Sequence, residues 1–176
     1  MRRAVLPPEG SGVFFGSRFF LYAPSLSAIR TIFTIGHSTH ELEAFLSLLR
    51  GAGIEAVADV RRYPSSRRMP WFNSGLLEPA LSEAGIDYAH LEGLGGRREG
   101  GLSGYAAHMA GREFEAELER LVELAADRPT VVMCAEQDWR NCHRQFISDA
   151  LAARGHEVQH VLASGELEPH PMRLEP

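Results

Sequence analysis

The sequence predicts an α/β fold of three layers, in which helices cover both faces of a mostly parallel sheet. Short apolar runs that are typical of buried strands alternate along the chain with segments whose apolar residues repeat at helical spacing. Strands that alternate with helices favour a parallel sheet with right-handed crossovers. With 176 residues, 44% of them hydrophobic, the chain is long enough to bury the core of one such domain.

Five strands and four helices account for most of the chain after residue 30. We predict the strands at 31–35, 55–60, 86–91, 130–134 and 157–162. The helices are predicted from 42 to near 51, and over about 76–84, 114–125 and 142–154. The second helix is given a late start because proline, here Pro79, is best tolerated in a first turn. Gly155 is expected to cap the last helix.

The composition and the N-terminal segment indicate where the protein is located. Residues 1–30 resemble a signal peptide only loosely and are predicted to be a poorly ordered N-terminal extension, followed by a single α/β domain over 31–176. Two cysteines are too few for a secreted disulfide scaffold, and no apolar run approaches the ~20 residues of a membrane helix. The sequence therefore predicts a cytoplasmic protein with no membrane partner.

The charged residues exclude one class of chemistry and leave another open. All 18 basic residues are arginines, so the chain has no amine for a lysine Schiff-base or lysine general-base mechanism. The formal net charge of -5 gives no overall attraction to nucleic acid, although a local basic patch can still bind phosphate.

Residues typical of functional sites gather at the predicted carboxyl ends of four strands, where ligands bind in sheets of this kind. By strand, they are Gly36, His37 and Ser38 after the first; Asp59 and Arg61 after the second; His90, Glu92, Gly95, Gly96, Arg97 and Arg98 after the third; and Cys134, Glu136, Cys142, His143 and Arg144 after the fourth. Because parallel strands end at one edge of the sheet, we expect these side chains to line one binding crevice.

Four motifs, taken in order, resemble the DUF488 family, whose function is unassigned. They are "TIGHST" at 34–39, "DVRRYPSS" at 59–66, "LGGRR" at 94–98 and "MCAEQDWRNCHR" at 133–144, and the resemblance extends from about residue 32 to the His170 region. It implies a compact α/β domain with these shared positions: His37, Ser38, Asp59, Arg61, Arg97, Cys134, Glu136, Cys142, His143 and Arg144. Where the family usually has a proline near position 139, this chain has Trp139, which could stack on a ligand or cover the site.

The two cysteines lead to different interpretations. Cys142 is predicted at the start of the last helix, where the helix dipole and the flanking arginines would lower the pKa of its thiol. It is therefore a candidate nucleophile, with a buried structural residue as the alternative. Cys134 and Arg140 match the Cys-x5-Arg spacing of cysteine phosphatases, but acidic residues in that loop would repel a bound anion. We expect Cys134 to be structural.

Histidines and carboxylates supply the candidates for proton transfer. His37 and His143 could move protons near neutral pH, and Glu136 could act as an acid, a base or an orienting group. Asp59 could orient His37 while Arg61 holds a substrate phosphate; alternatively, Asp59 and Arg61 could form a structural ion pair.

Backbone features could complete an anion site. Ser38 and Glu41 fit the S-x-x-E capping box, which predicts Ser38 as the cap of the first helix, with N–H groups free to meet an anion. Gly96, directly before Arg97, would allow a ligand to approach the backbone closely.

Two further functions stay open. A metal site could draw on Cys134, Cys142, His143, His37 or Glu136. The spacing matches no familiar zinc signature, however, and the adjacent residues Cys142 and His143 should point in different directions on a helix. No metal ligand and no cofactor is therefore assigned. The loop 61–71 combines arginines with Tyr63 and Trp71, a mixture that suits a nucleotide or a single nucleic-acid strand.

The favoured function is an enzyme, either a hydrolase or a group transferase, that binds a small anionic substrate at the carboxyl ends of the strands. The substrate is expected to be phosphorylated or nucleotide-like. The predicted catalytic residues are His37, Asp59, Glu136, Cys142 and His143. The predicted substrate-binding residues are Gly36, Ser38, Arg61, Gly96, Arg97 and Arg144. The alternatives are a nucleic-acid-binding or nucleic-acid-processing module that uses the loop 61–71, and a metal-dependent hydrolase with Cys, His and Glu ligands.

Overall fold

The centre of the fold is a six-stranded sheet, described by a computed structural model over residues 29–96 and 99–171. The strands are β1 (Thr31–Gly36), β2 (Ala56–Asp59), β3 (Asp87–His90), β4 (Thr130–Cys134), β5 (Glu157–Val161) and β6 (Leu167–Pro169). Their order is β3-β2-β4-β1-β5-β6, and every pair is parallel except β5 with β6. The predicted N-terminal extension, as far as residue 28, lies outside the described residues.

Helices cover both faces of this sheet, which confirms the predicted three-layer α/β fold. They are α1 (Leu42–Gly51), α2 (Ser74–Glu83), α3 (Gly101–Met109), α4 (Arg112–Asp127) and α5 (Arg144–Ala153). Apolar residues of α1 and α2 pack against one face, which includes Val131 and Met133. Residues of α4 and α5 pack against the other, which includes Val132. Alternate residues of β4 thus enter opposite cores, as the pleat of a strand requires.

The central strands read as continuous apolar runs because neither face of the sheet meets water. All residues of β2 and β4 are buried, and they lie side by side in the sheet. Each fully buried Val, Leu, Ile, Phe or Met side chain contributes roughly 1.5–3 kcal/mol relative to an exposed one. Burial on both faces therefore stabilises the strands whose carboxyl ends carry the candidate site.

Two elements were not predicted, and one begins earlier than expected. Helix α3 and strand β6 are absent from the sequence-based assignment because α3 lies in a glycine-rich segment and β6 has only three residues. Helix α2 begins at Ser74, and Pro79 lies inside it. The helix tolerates Pro79 at an exposed position, where water can reach the carbonyl of Gly75 that a proline cannot bond.

The predicted capping box at Ser38 is wrong. Helix α1 begins at Leu42, and no side chain caps it. Ser38 instead adopts a left-handed φ of 46°, and its N–H donates to the carbonyl of Ala135 at 2.9 Å. Its hydroxyl lies 3.4 Å from Gln137 Oε1. The turn before α1 is therefore held by the loop after β4, which delays the start of the helix.

The described helices differ from membrane spans. None of them, within residues 29–96 and 99–171, combines the length and the apolar character that crossing a bilayer requires.

Candidate functional site

Four side chains meet at the carboxyl edge of the sheet and form what we call the cysteine cluster: Cys134, Glu136, Cys142 and His143. One ligand-type atom from each of them lies within 4.8 Å of the others. Cys134 Sγ is 2.6 Å from Glu136 Oε2 and 3.7 Å from His143 Nδ1. Cys142 Sγ is 3.4 Å from the same carboxylate oxygen and 3.6 Å from Nδ1. Three of the predicted catalytic residues thus meet beside Cys134, which was expected to be structural.

The backbone before α5 explains why neighbouring side chains can converge. The expectation that Cys142 and His143 diverge on a helix is wrong because α5 begins only at Arg144. Cys142 has extended backbone angles (φ -129°, ψ 153°) and follows a short 3₁₀ turn over Trp139–Asn141. The side chain of Asp138 caps that turn by accepting from the N–H of Arg140 at 3.0 Å. The chain therefore folds back towards the end of β4.

The loop from Cys134 to Gln137 is fixed by close contact with β1. Gly36 pairs with Cys134 in the sheet, and a Cβ at Gly36 would lie 1.8 Å from the carbonyl oxygen of Glu136. The N–H of His37 donates to the carbonyl of Cys134 at 2.8 Å. Only glycine at position 36 allows this approach, so Gly36 shapes the cluster through its lack of a side chain.

Arg144 holds the same loop from within the protein. Its side chain is 1% exposed, and its guanidinium donates to the carbonyls of Glu136 at 2.6 Å and Gln137 at 3.1 Å. It also donates to Thr34 Oγ1 at 3.3 Å. With these groups occupied, the geometry gives Arg144 a positioning role; contact with a substrate stays a prediction.

His143 has a defined tautomer. Its Nε2 lies 3.3 Å from the carbonyl oxygen of Val60, which can only accept a hydrogen bond, so Nε2 carries the hydrogen. Nδ1 therefore presents a lone pair to both sulfur atoms. A Cβ at Gly96 would lie 2.7 Å from this Nδ1, so Gly96 leaves the space that the imidazole occupies.

The two thiols have opposite electrostatic surroundings. The hydrogen bond from Cys134 lowers the pKa of Cys142, and His143 and Arg144 lower it further. Burial raises the pKa of Cys134 well above its ordinary value, and the neighbouring Cys142 adds to that shift. Partial desolvation would raise the pKa of Glu136, but hydrogen bonds from the thiols outweigh it and lower the pKa. Glu136 is therefore a carboxylate at neutral pH.

A second polar group contains the predicted residues His37, Asp59 and Arg61. Arg61 Nε and Nη2 donate to the two carboxylate oxygens of Asp59 at 2.8 and 2.5 Å, and both residues are buried. Tyr88 donates to the same carboxylate at 2.8 Å. Arg61 Nη1 lies 3.4 Å from His37 Nε2. This geometry favours the structural ion pair among the two alternatives for Asp59 and Arg61.

His37 is held in its neutral form. Burial, followed by the charge of Arg61, lowers its pKa to about 4. Its Nδ1 donates to the carbonyl of Ser38 at 3.0 Å, so the Nε2 lone pair faces Arg61. The ring stacks on Phe72 at 4.2 Å between centroids. A role for His37 in proton transfer stays a prediction.

Three members of the cysteine cluster, Cys134, Glu136 and His143, line one cleft. Cys142 lines a second cleft, which shares Glu136 and His143 with the first. Arg61, Arg62, Tyr63, Ser65 and Gly96 also line the first cleft. Glu136 is exposed, whereas the other three members of the cluster are buried. Glu136 is therefore the member that solvent reaches most readily. The predicted substrate-binding residue Arg97 lies outside the described residues.

Trp139 packs away from this cleft. Its ring stacks on His160 with 4.0 Å between centroids and 9° between planes, and it is 5% exposed. No pattern in the sequence pairs these two residues. Likewise, no side-chain pattern predicts that the backbone carbonyl of Val60 accepts a hydrogen bond from His143.

The fold and the cluster together define an α/β protein with a Cys–His–Glu site at the carboxyl edge of a parallel sheet. A family model described as "Domain of unknown function DUF488" matches residues 41–151. The chain belongs to the DUF488 family, as the motifs predicted. Neither the curated proteins nor the solved structures contain a significant match.

Proposed function

We propose that the protein is an enzyme that acts on a small anionic substrate, phosphorylated or nucleotide-like, in the cleft beside the cysteine cluster. The observation that supports this most strongly is the convergence of two thiols, a carboxylate and an imidazole, three of which line that cleft. The cleft lies at the carboxyl ends of parallel strands, where α/β folds bind their ligands.

Two other residues that line the cleft support an anionic substrate. Arg62 lines the cleft next to Tyr63, whose side chain is 58% exposed, and its guanidinium lies 5.9 Å from the ring centroid. Arg61 lines the cleft too, but its charge is paired with Asp59. Arg62 would therefore provide the charge for a phosphate, and the exposed ring of Tyr63 would offer a face for a base.

The reacting groups would come from the cluster. Because Glu136 is ionised, it would accept a proton rather than donate one. His143 Nδ1 offers a second basic lone pair beside the thiols. These groups suit hydrolysis or group transfer.

Calorimetric titration of the full chain with inorganic phosphate and with AMP tests the proposal. Replacing Arg62 by Gln should weaken binding by roughly 10–100-fold, the equivalent of one charge-assisted hydrogen bond. Arg120→Gln is the control for the loss of one arginine charge, because Arg120 is exposed on α4 and does not line the cleft. Absence of binding by the wild type, or equal weakening in both variants, would contradict the proposal.

A second function is favoured by one observation. Arg67, Arg68 and Tyr63 are exposed on the loop that borders the cleft, as a surface for a single nucleic-acid strand would require. If the wild type binds a mixed-sequence single-stranded oligonucleotide far more tightly than AMP, with affinity that falls steeply with salt, the nucleic-acid function replaces the first.

A further inference from the structure

We propose that the cysteine cluster binds one Zn²⁺ ion through Cys134 Sγ, Cys142 Sγ, His143 Nδ1 and a carboxylate oxygen of Glu136. This assignment deepens the proposed function, on which its link to a substrate rests. It begins from donor type: thiolate, imidazole and carboxylate are the three side-chain ligands that zinc takes in proteins, most often four at a time.

The distances fit a tetrahedral ion. Bonds of ~2.0–2.3 Å to zinc place neighbouring ligand atoms of a tetrahedron roughly 3.3–3.8 Å apart. The sulfur–nitrogen distances here are 3.7 Å from Cys134 and 3.6 Å from Cys142, and the distance from Cys142 Sγ to the carboxylate of Glu136 is 3.4 Å. The closer approach of Cys134 to Glu136, at 2.6 Å, would have to open by about an ångström.

The hydrogen of His143 is already placed where a zinc ligand needs it. Histidines that bind a metal usually donate their other ring N–H to a carbonyl or carboxylate, which fixes the ligating nitrogen. Here Nε2 donates to the carbonyl of Val60 at 3.3 Å and leaves the Nδ1 lone pair aimed into the cluster. The backbone thus selects the tautomer that can bind a cation.

The hydrogen-bond donors in the cysteine cluster are too few to pair with all of its lone pairs. Even with both thiols protonated, two S–H hydrogens face four groups that carry lone pairs. Within the described residues, the Glu136 carboxylate forms no ion pair, and Arg144 donates to the backbone carbonyl of Glu136 instead. A bound cation would balance the converging lone pairs and the charge of the carboxylate.

The ligands are also held in place before any metal arrives. Arg144 and the close approach of Gly36 fix the loop that carries Cys134 and Glu136, so little ordering remains to be done on binding. Three of the donors are buried and Glu136 faces the cleft. Glu136 is therefore the ligand that a substrate or water would displace.

Titration of chelator-treated full chain with Co²⁺, followed by absorption and by displacement with Zn²⁺, tests the assignment. We expect one ion per chain, sulfur-to-metal charge-transfer bands, and the visible bands of tetrahedral cobalt. His143→Gln should lower zinc affinity by more than the roughly 10–100-fold that loss of a second-shell partner costs. Cys142→Ser should remove part of the charge-transfer absorption, and Glu136→Gln should shift the visible bands with weaker binding.

His160→Gln is the matched control, because His160 is a buried histidine outside the cluster. It should bind one ion with wild-type affinity, and circular dichroism would show that each variant is folded. Less than one ion per chain, no charge-transfer band, or equal zinc affinity in His143→Gln and His160→Gln would overturn the assignment. The assignment would also be overturned if the cysteines form a disulfide and the protein does not bind cobalt after reduction.

The same protein separates this assignment from the proposed function. Phosphate and AMP are titrated into both the chelated and the zinc-loaded wild type. Metal binding without anion binding would retain the zinc site and overturn the proposed substrate class. Anion binding by protein that takes up no metal would overturn the zinc site and retain the proposed substrate class.

Discussion

Two polar clusters, each with most of its residues buried, both contact Arg144, and they use their hydrogen bonds in opposite ways. One is the cysteine cluster. The other, which we call the histidine chain, comprises Thr34, His160, His170 and Asp149. Thr34 Oγ1 is 2.7 Å from His160 Nδ1, His160 Nε2 is 3.1 Å from His170 Nδ1, and His170 Nε2 is 2.9 Å from Asp149 Oδ1.

The direction of every bond in the histidine chain is determined. The carboxylate of Asp149 can only accept, so His170 carries its hydrogen on Nε2 and accepts at Nδ1 from His160. His160 Nδ1 in turn accepts from the hydroxyl of Thr34, whose oxygen accepts from Arg144. Each donor meets one acceptor, whereas lone pairs converge in the cysteine cluster. The contrast teaches that convergent lone pairs, rather than buried polar residues as such, mark a binding site.

Removal of Arg144 should affect both clusters and have the largest effect. Arg144→Met leaves the carbonyls of Glu136 and Gln137 without their donor and breaks the start of the histidine chain. At about 1–3 kcal/mol for each buried group left unpaired, we expect the free energy of unfolding to fall by roughly 3–5 kcal/mol. Urea denaturation measures it.

Arg50→Met is the control for that experiment. Arg50 pairs with Glu43 at the surface, where such a change is worth about 0.5 kcal/mol or less. If the two variants lose similar stability, Arg144 does not hold the loop as described.

Replacing one histidine from each cluster should separate stability from binding. His160→Leu leaves Thr34 and His170 unpaired and should lower the free energy of unfolding by about 2–4 kcal/mol. His143→Leu removes one bond to the carbonyl of Val60 and should cost about 1–2 kcal/mol, measured with chelator present. A larger loss in His143→Leu would reverse the roles assigned to the two clusters.

Acid should weaken the histidine chain in a predictable direction. Burial, aided by His170 and nearby arginines, lowers the pKa of His160 to about 3, below the value of 6.5 for an exposed histidine. Below pH 6.5 His160 is protonated in the unfolded chain, whereas in the folded protein it stays neutral down to about pH 3. Its contribution to stability is therefore complete above pH 6.5 and is lost as the pH falls below it.

The measurement is the free energy of unfolding of chelated protein at several pH values from 7 to 4. His160→Gln should reduce its slope by up to about one proton, or ~1.4 kcal/mol per pH unit. His37, whose pKa is about 4, should supply much of the slope that remains. An unchanged slope in His160→Gln would show that His160 is not held neutral.

The smallest expected effect comes from a single methyl group beside the cysteine cluster. Gly96→Ala would place a Cβ 2.7 Å from His143 Nδ1, so the ring must shift. We expect zinc affinity to fall by on the order of 10-fold, as for a disturbed second shell, with the histidine chain unaffected. Gly51→Ala is the control, since a Cβ there meets no atom within 4 Å. Equal zinc affinity in the two variants would show that Gly96 does not influence the zinc site.

The elements that could be predicted from the sequence are those whose pattern is local. The helices α1, α4 and α5 and the strands β1 to β5 follow from apolar periodicity within a few residues. Their alternation then implies a parallel sheet, which brings the residues after β1, β2 and β4 to one edge. The position of the candidate site in the fold therefore follows from the order of the elements alone.

Ser38, α3 and Trp139 show where local patterns were insufficient. Ser38 fits a capping box, but contacts with the loop after β4 hold it in a turn. In α3, the buried Tyr105 donates to the carbonyl of Leu94 at 2.7 Å, a contact with no signature in a glycine-rich segment. The sequence allows Trp139 to stack on a ligand or to cover the site, but in the structure it packs on His160, 21 positions further along and on β5.

The sequence by itself determined the strands, most of the helices and the set of chemically capable residues at one edge of the sheet. Tertiary structure alone decided which of them have free lone pairs. His143 takes its tautomer from Val60, 83 positions away, and Arg144 finds Thr34 110 positions away. The physical reason is that hydrogen-bond satisfaction depends on atoms brought together in space, while apolar periodicity depends on neighbours in the chain.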